Sequence, residues 1–100
     1  MTVTTNLDGA KLTVTAEGKL GTTSAPELEN AVKNNIKGVT ELIFDFEKLE
    51  YMASAGLRVL LSAAKVMKKQ GSMKIINVTE PVMDVFTFTG MADVMDIEKL

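Results

Sequence analysis

Asp45-Phe-Glu-Lys-Leu-Glu-Tyr-Met-Ala-Ser54-Ala-Gly56-Leu-Arg-Val-Leu-Leu61 is the stretch whose reading decides the fold. Just before it, Glu41 to Phe46 carries Leu-Ile-Phe-Asp-Phe, a nearly continuous apolar run. Such a run suits a central strand covered on both faces. A short loop follows, and Ser54 then opens a helix that runs to Gln70. Leu57, Leu60, Leu61, Ala64 and Met67 form its apolar stripe, with Arg58, Ser62, Lys65 and Lys69 away from it. Gly71 ends it. A serine at this position has two readings. It is an ordinary N-cap, bonding a free first-turn N–H, or it is a hydroxyl whose phosphate the helix start would tolerate.

The flanking segments give the rest of the order. Val3 to Leu7 and Lys11 to Ala16 alternate in polarity around Asp8-Gly9, the signature of an antiparallel hairpin. Gly18-Lys-Leu-Gly21-Thr-Thr reads as a loop. Ser24-Ala-Pro-Glu27 reads as a capping box opening a helix of about three turns, with Leu28, Val32 and Ile36 at helical spacing and Gly38 as its stop. Met73 to Val78 is a further strand. Thr79-Glu80-Pro81 opens a helix with Val82, Val85 and Phe86 as its apolar side, closed by Gly90. Val94 to Ile97 is a short strand or a turn of helix. Strand-helix-strand units imply parallel pairing with right-handed crossovers, and the opening hairpin makes the sheet mixed. The expectation is an α/β fold over residues 1–100, one domain, with helices mainly on one face of a small sheet.

Composition narrows the chemistry. The chain has 100 residues, 46% of them apolar, and a net charge of −2. There is no basic excess to hold a nucleic-acid backbone. Lys65, Lys68 and Lys69 fall together late in one helix, where cations suit the dipole. Histidine and cysteine are both absent, which excludes disulfides, Cys/His zinc sites, thiol nucleophiles and Ser-His-Asp triads. No apolar run reaches the ~18–20 residues that span a bilayer, and Met-Thr-Val-Thr-Thr-Asn has no signal-peptide character. The expected location is cytoplasmic, with no membrane insertion and no cofactor. A serine after a strand also has the outline of a hydrolase elbow. But Met52 stands where the first glycine of Gly-x-Ser-x-Gly belongs, no histidine is available as base, and Leu57 excludes a Ser-x-x-Lys pair. Gly18-x-x-Gly21 lacks the Gly-Lys-Ser/Thr of a phosphate loop.

With Ser54 placed on this element order, the chain resembles the anti-sigma-factor antagonists, the small bacterial form of the STAS domain. Gly18-Lys-Leu-Gly21-Thr-Thr-Ser-Ala-Pro-Glu-Leu28 is similar to the family's Gly-x-Leu-Asp loop and first helix. The stretch from Asp45 to Leu57 is similar to its Asp-Ser-Ser/Thr-Gly-Leu motif. Asn77-Val-Thr-Glu-Pro-Val-Met-Asp-Val-Phe86 through Gly90 matches its later strand-to-helix passage. The resemblance implies a protein without chemistry of its own. Ser54 would be phosphorylated by a partner that is both anti-sigma factor and serine kinase, binding would end on phosphorylation, and a serine phosphatase would reset the protein. It implies a partner-binding surface of Gly21, Thr22, Thr23, Met52, Ala53, Ala55, Gly56, Arg58 and Met91. Met52 and Met91 also fall in expected loops, which makes them, of the seven methionines, the candidates for exposed contact. Arg58, one turn after Ser54, is either a partner for the phosphate or a plain surface residue. Gly21 and Ala53 stand where the family commonly has aspartates. That departure fits a second reading, a STAS subunit that is never phosphorylated, in a lipid-transport or stress-sensing assembly.

Overall fold

The computed structural model describes residues 1–100. It contains β1 (Thr2–Asp8), β2 (Lys11–Leu20), α1 (Ala25–Lys33), β3 (Glu41–Asp45), β4 (Leu49–Met52), α2 (Ser54–Gln70), β5 (Ser72–Val78), α3 (Glu80–Thr89) and β6 (Asp96–Lys99). A 3-10 turn at Met91–Asp93 precedes β6. The sheet runs β1-β2-β3-β5-β6, with β4 attached to the far end of β2. Only β1 and β2 are antiparallel; every other pair is parallel.

The hairpin forms as its alternation requires. Gly9 takes a positive φ of 62° in a two-residue turn closed by Asp8 opposite Lys11. Alternation then sorts the sheet into two faces. Leu12, Val14 and Ala16 of β2, Leu42 and Phe44 of β3 and Ile75 of β5 enter one core with Leu28, Leu60, Met67, Val82 and Phe86 from the three helices. Burying each of these side chains larger than Ala16 stabilises the fold by about 1.5–3 kcal/mol. The opposite face carries Thr13, Thr15, Glu41, Asp45 and Lys74 and no helix. The helices therefore lie on one face, as expected. Ile43 is buried there without joining the core, between Thr13 and Lys74 of the adjoining strands. On the same face Lys74 donates to Glu98 at 2.7 Å, and that bond raises the ammonium pKa above its ordinary value.

Several local readings are corrected. Gly18 to Leu20 is not loop but strand: β2 shifts register after Gly18, which has a φ of 99°, and its tail pairs with β4. β4 itself replaces the loop expected between Phe46 and Ser54. It is a non-local element, because four residues make a strand only when the bulged tail of β2 reaches them. The capping box is absent, since Ser24 is already in a helical conformation and its hydroxyl makes no cap bond. α1 ends at Lys33, so Ile36 packs from the turn beyond it. The buried stripe of α2 is rotated toward α1 and includes Val59 and Ala63, while Leu61 and Ala64 are only half-buried. The final segment takes the strand alternative, beginning at Asp96, and the 3-10 turn lies before it at Met91–Asp93.

Candidate functional site

Three pieces of chain meet where the parallel strands end. They are the tail of β2 with its Gly21–Ser24 loop, the end of β4, and the first turn of α2. The Ala53 N–H donates to the Leu20 carbonyl at 2.8 Å, which fixes the start of α2 against β2. Gly56 lets the two approach. A Cβ there would lie 2.7 Å from Leu20 Cδ2 and 2.9 Å from Met52 Cγ. The loop is latched by Ser24, whose Oγ accepts from the Gly21 N–H at 2.8 Å and donates to the Lys19 carbonyl at 2.9 Å. This leaves Thr22 and Thr23 exposed at the tip. Thr79 Oγ1 donates to the Leu49 carbonyl at 3.2 Å, tying the start of α3 to β4 beneath the site.

Ser54 is not the N-cap. Ala53 holds that position in an extended conformation (φ −96°, ψ 172°) and has no side-chain acceptor to offer. Ser54 is the first helical residue, and its exposed hydroxyl makes no hydrogen bond to the protein. The Gly56 and Leu57 N–H groups turn back to the Ala53 carbonyl, but those of Ser54 and Ala55 donate to no carbonyl. Two free donors thus sit at the positive end of a 17-residue helix with no acidic residue in its first turn. Arg58, one turn on, is exposed and outside the three ion pairs of the molecule, Lys33–Glu29, Lys48–Glu17 and Lys74–Glu98. No acidic residue in the first turn of α2 competes for an anion.

Most of the expected surface comes together: Gly21, Thr22, Thr23, Ala53, Ser54, Ala55 and Arg58 belong to this junction, while Gly56 lies buried beneath it against Leu20 and Met52 and is a packing residue rather than a contact. Met52 and Met91 do not contribute as expected. Met52 is 1% exposed, because its strand turns it into the core. Met91 is half-buried at the other end of the molecule, since α3 carries the chain back past the core before the 3-10 turn. Two contributors were missed. Ser24, expected as a helix cap, is a loop latch. Tyr51, 52% exposed two residues before Ala53, pairs with Lys19 at the edge of the junction. Its signal was the outward position in Leu49-Glu-Tyr-Met, visible only once those residues are a strand.

The junction is a surface rather than a hole. A groove of about 290 Å³ lies between the C-terminal half of α2 and Val94–Asp96. A polar cleft involves Thr15, Glu17, Asp45 and Lys48. Neither includes Ser54. No group of three metal-binding side chains converges anywhere, and no helix is long and apolar enough to cross a membrane.

The STAS domain family model matches residues 2–99. The chain belongs to the STAS domain family. One relative, the anti-sigma-B factor antagonist of Bacillus subtilis, is 33% identical over 84% of this chain and 78% of its own length. Among solved structures, an anti-sigma factor antagonist from Mycobacterium paratuberculosis superposes with a TM-score of 0.89 at 18% identity, covering 99% of this chain and 86% of that one. The Bacillus protein SpoIIAA, known in unphosphorylated and phosphorylated forms, superposes with TM-scores of 0.84 and 0.76 at 21% and 20% identity. The two forms cover 96% of this chain and 87% and 90% of theirs. These structural likenesses establish the shared STAS fold, a mixed six-stranded sheet with three helices.

Proposed function

We propose that this protein is an anti-sigma-factor antagonist whose switch is Ser54. The observation that carries the reading is the Ser54 hydroxyl: exposed, free of a cap bond, and at a helix start with two unpaired N–H donors and no acidic residue in its first turn. The relative from Bacillus subtilis supplies the partner class. Unmodified, the protein binds an anti-sigma factor with serine kinase activity through the Gly21–Thr23 loop and the first turn of α2, and so frees a sigma factor for transcription. The kinase transfers the γ-phosphoryl group of ATP to Ser54 Oγ. An O–P bond forms at the serine, the bond to ADP breaks, and the hydroxyl proton passes to the kinase. A serine phosphatase resets the site by hydrolysis: water attacks phosphorus, the O–P bond at Ser54 breaks, and the serine hydroxyl and inorganic phosphate are released. The protein itself is regulatory rather than catalytic, and it works in the cytoplasm.

Phosphate adds ~1.5–2 negative charges. In the free protein the helix start accommodates them. In a complex packed on Ser54 they are buried or opposed, at a cost of several kcal/mol in order of magnitude, enough to reverse micromolar binding. The test is incubation with ATP and the kinase encoded nearest in the genome. One phosphoryl group appears on wild type and none on Ser54→Ala, and a pull-down retains the kinase on wild type but not on Ser54→Asp. Absence of phosphate on Ser54, or equal retention by wild type and Ser54→Asp, would sink the switch.

Gly21 and Ala53 favour one second reading, a fixed STAS subunit of a lipid-transport or stress-sensing assembly. Without aspartates at positions 21 and 53, a kinase has less to recognise. In that case Ser54→Asp co-purifies with the same assembly as wild type, and no phosphate is found in cells.

A further inference from the structure

The two edges of the sheet are built differently. β6 has four residues, three of them charged, and a register irregularity between Ile75 and Val78 of the strand it pairs with. These are the usual defences of an edge against pairing with another chain. β1 has none of them. Its seven residues hold unbroken register with β2, contain no lysine, arginine or proline, and carry one charge, Asp8, at the last position. Leu7 stands 54% exposed on the helix side of this strand.

The backbone polarity of β1 follows from its hairpin. Residues flanking a two-residue turn exchange both backbone hydrogen bonds, and such pairs alternate along the ladder. With Asp8 opposite Lys11 at the turn, Asp8, Asn6, Thr4 and Thr2 bond to β2. Val3, Thr5 and Leu7 then present their N–H and C=O groups outward, unpaired. The sequence of the strand is also symmetric about Thr5. Val3 and Leu7 are apolar, and both share the helix side with Ala16 and Leu12, their partners on β2. Thr4 and Asn6 are polar and lie on the open side, with Thr2 and Asp8 beyond them.

We propose that β1 is a self-pairing edge through which two copies of this chain join their sheets, antiparallel, about a two-fold axis at Thr5. That register sets Val3 of each copy opposite Leu7 of the other and Thr5 opposite Thr5. The outward groups form about six backbone hydrogen bonds, two for each of three pairs. The exposed Leu7 is covered by a valine, Thr4 meets Asn6, and Asp8 meets Thr2, so no like charges oppose. This palindromic pattern selects a second copy over an unrelated extended peptide, which would match only one half of the strand. One seven-residue strand pair falls below the area of a standard interface, so the dimer is weak and reversible. The proposal is independent of Ser54, which lies outside this edge.

Sedimentation of the whole protein tests it. The average mass rises from 10.8 kDa toward twice that value as concentration increases from about 10 μM to 1 mM, the range of a weak dimer. Thr5→Pro removes one outward N–H and leaves the bonds to β2 intact, a placement an edge strand tolerates. It abolishes the rise. Leu7→Lys, at a site exposed enough to leave folding alone, does the same and decides the matter if the proline variant does not fold. Phe88→Ala, which truncates a 94% exposed phenylalanine on α3, changes nothing. A wild type that stays monomeric at 1 mM, or association lost in Phe88→Ala and kept in Leu7→Lys, overturns the proposal.

Discussion

The two ends of α2 solve opposite problems. At the C-terminal end the backbone turn is closed by specific bonds. Gln70 Nε2 donates to the Ile36 carbonyl at 2.9 Å and to the Val39 carbonyl at 2.6 Å. The Gly71 N–H bonds to Met67, and the Ser72 N–H bonds to the Thr40 carbonyl at 2.9 Å. Gly71 passes so close to Thr40 that a Cβ would land on its carbonyl oxygen. At the N-terminal end the backbone is equally well positioned, through Ala53 to Leu20 and through Gly56 against Leu20 and Met52. There the side chains are left free: Ser54 bonds nothing and Arg58 pairs with nothing. One end is finished by the fold, while the other is held rigid and left chemically open. Rigid backbone beneath unsatisfied side chains is what a recognition surface needs.

That contrast predicts where damage falls. The largest effect belongs to Gly71→Ala. Its Cβ meets backbone rather than a yielding side chain, so β3 or the end of α2 must move, and we expect a loss of at least about 3 kcal/mol in urea unfolding. Gln70→Ala comes next. It removes two bonds that close the turn from Ile36 to Val39, and a loss of about 1–3 kcal/mol should follow. A midpoint unchanged within error in either variant would mean that this end is less tightly built than its geometry states.

Gly56→Ala tests the other end. The added methyl group presses on two buried side chains at a cost of about 1–3 kcal/mol, and alanine returns up to ~1 kcal/mol of helix propensity. The net loss should be ~1–2 kcal/mol. Because Leu20 leads directly into the Gly21 loop, the same change should weaken partner capture beyond its effect on stability. Partner capture that follows the folded fraction alone would show that the loop does not depend on this contact.

Legibility in the sequence follows the range of the interactions. The Asp8-Gly9 hairpin, the apolar run of β3 and the order of the three helices are local patterns, and they emerge as read. β4 is invisible locally because Leu49-Glu-Tyr-Met becomes a strand only through the bulge at Gly18, about thirty residues earlier. Met52 was misplaced for the same reason, since a methionine in a loop faces out and one in that strand faces in. Ser24 and Ser54 failed in complementary ways. Each stands at a helix start and each has the chemistry of a cap, yet the Lys19 carbonyl and Gly21 N–H capture the first, and Ala53 takes the cap position ahead of the second. The choice between cap and free hydroxyl rests on a single residue of register at the helix start, which propensity does not resolve.

The smallest expected effect is also the sharpest discriminator. A capping serine replaced by alanine costs about 1 kcal/mol. Ser54 makes no cap bond, so Ser54→Ala should leave stability within about 0.5 kcal/mol of wild type. Ser54→Asp should do better than neutral. A carboxylate at the first helical position faces the free N–H groups of Ser54 and Ala55, with Arg58 one turn away. Stabilisation of about 0.3–1 kcal/mol is expected at low salt, or ~1–5 °C in the thermal midpoint of a domain this size. The gain should shrink as salt screens the dipole. The variant that loses its partner would then be the more stable protein on its own, as a switch acting at an interface requires. Should Ser54→Asp instead lower the midpoint, negative charge would be disrupting the domain itself, and release of the partner would reflect unfolding of the site rather than repulsion across it.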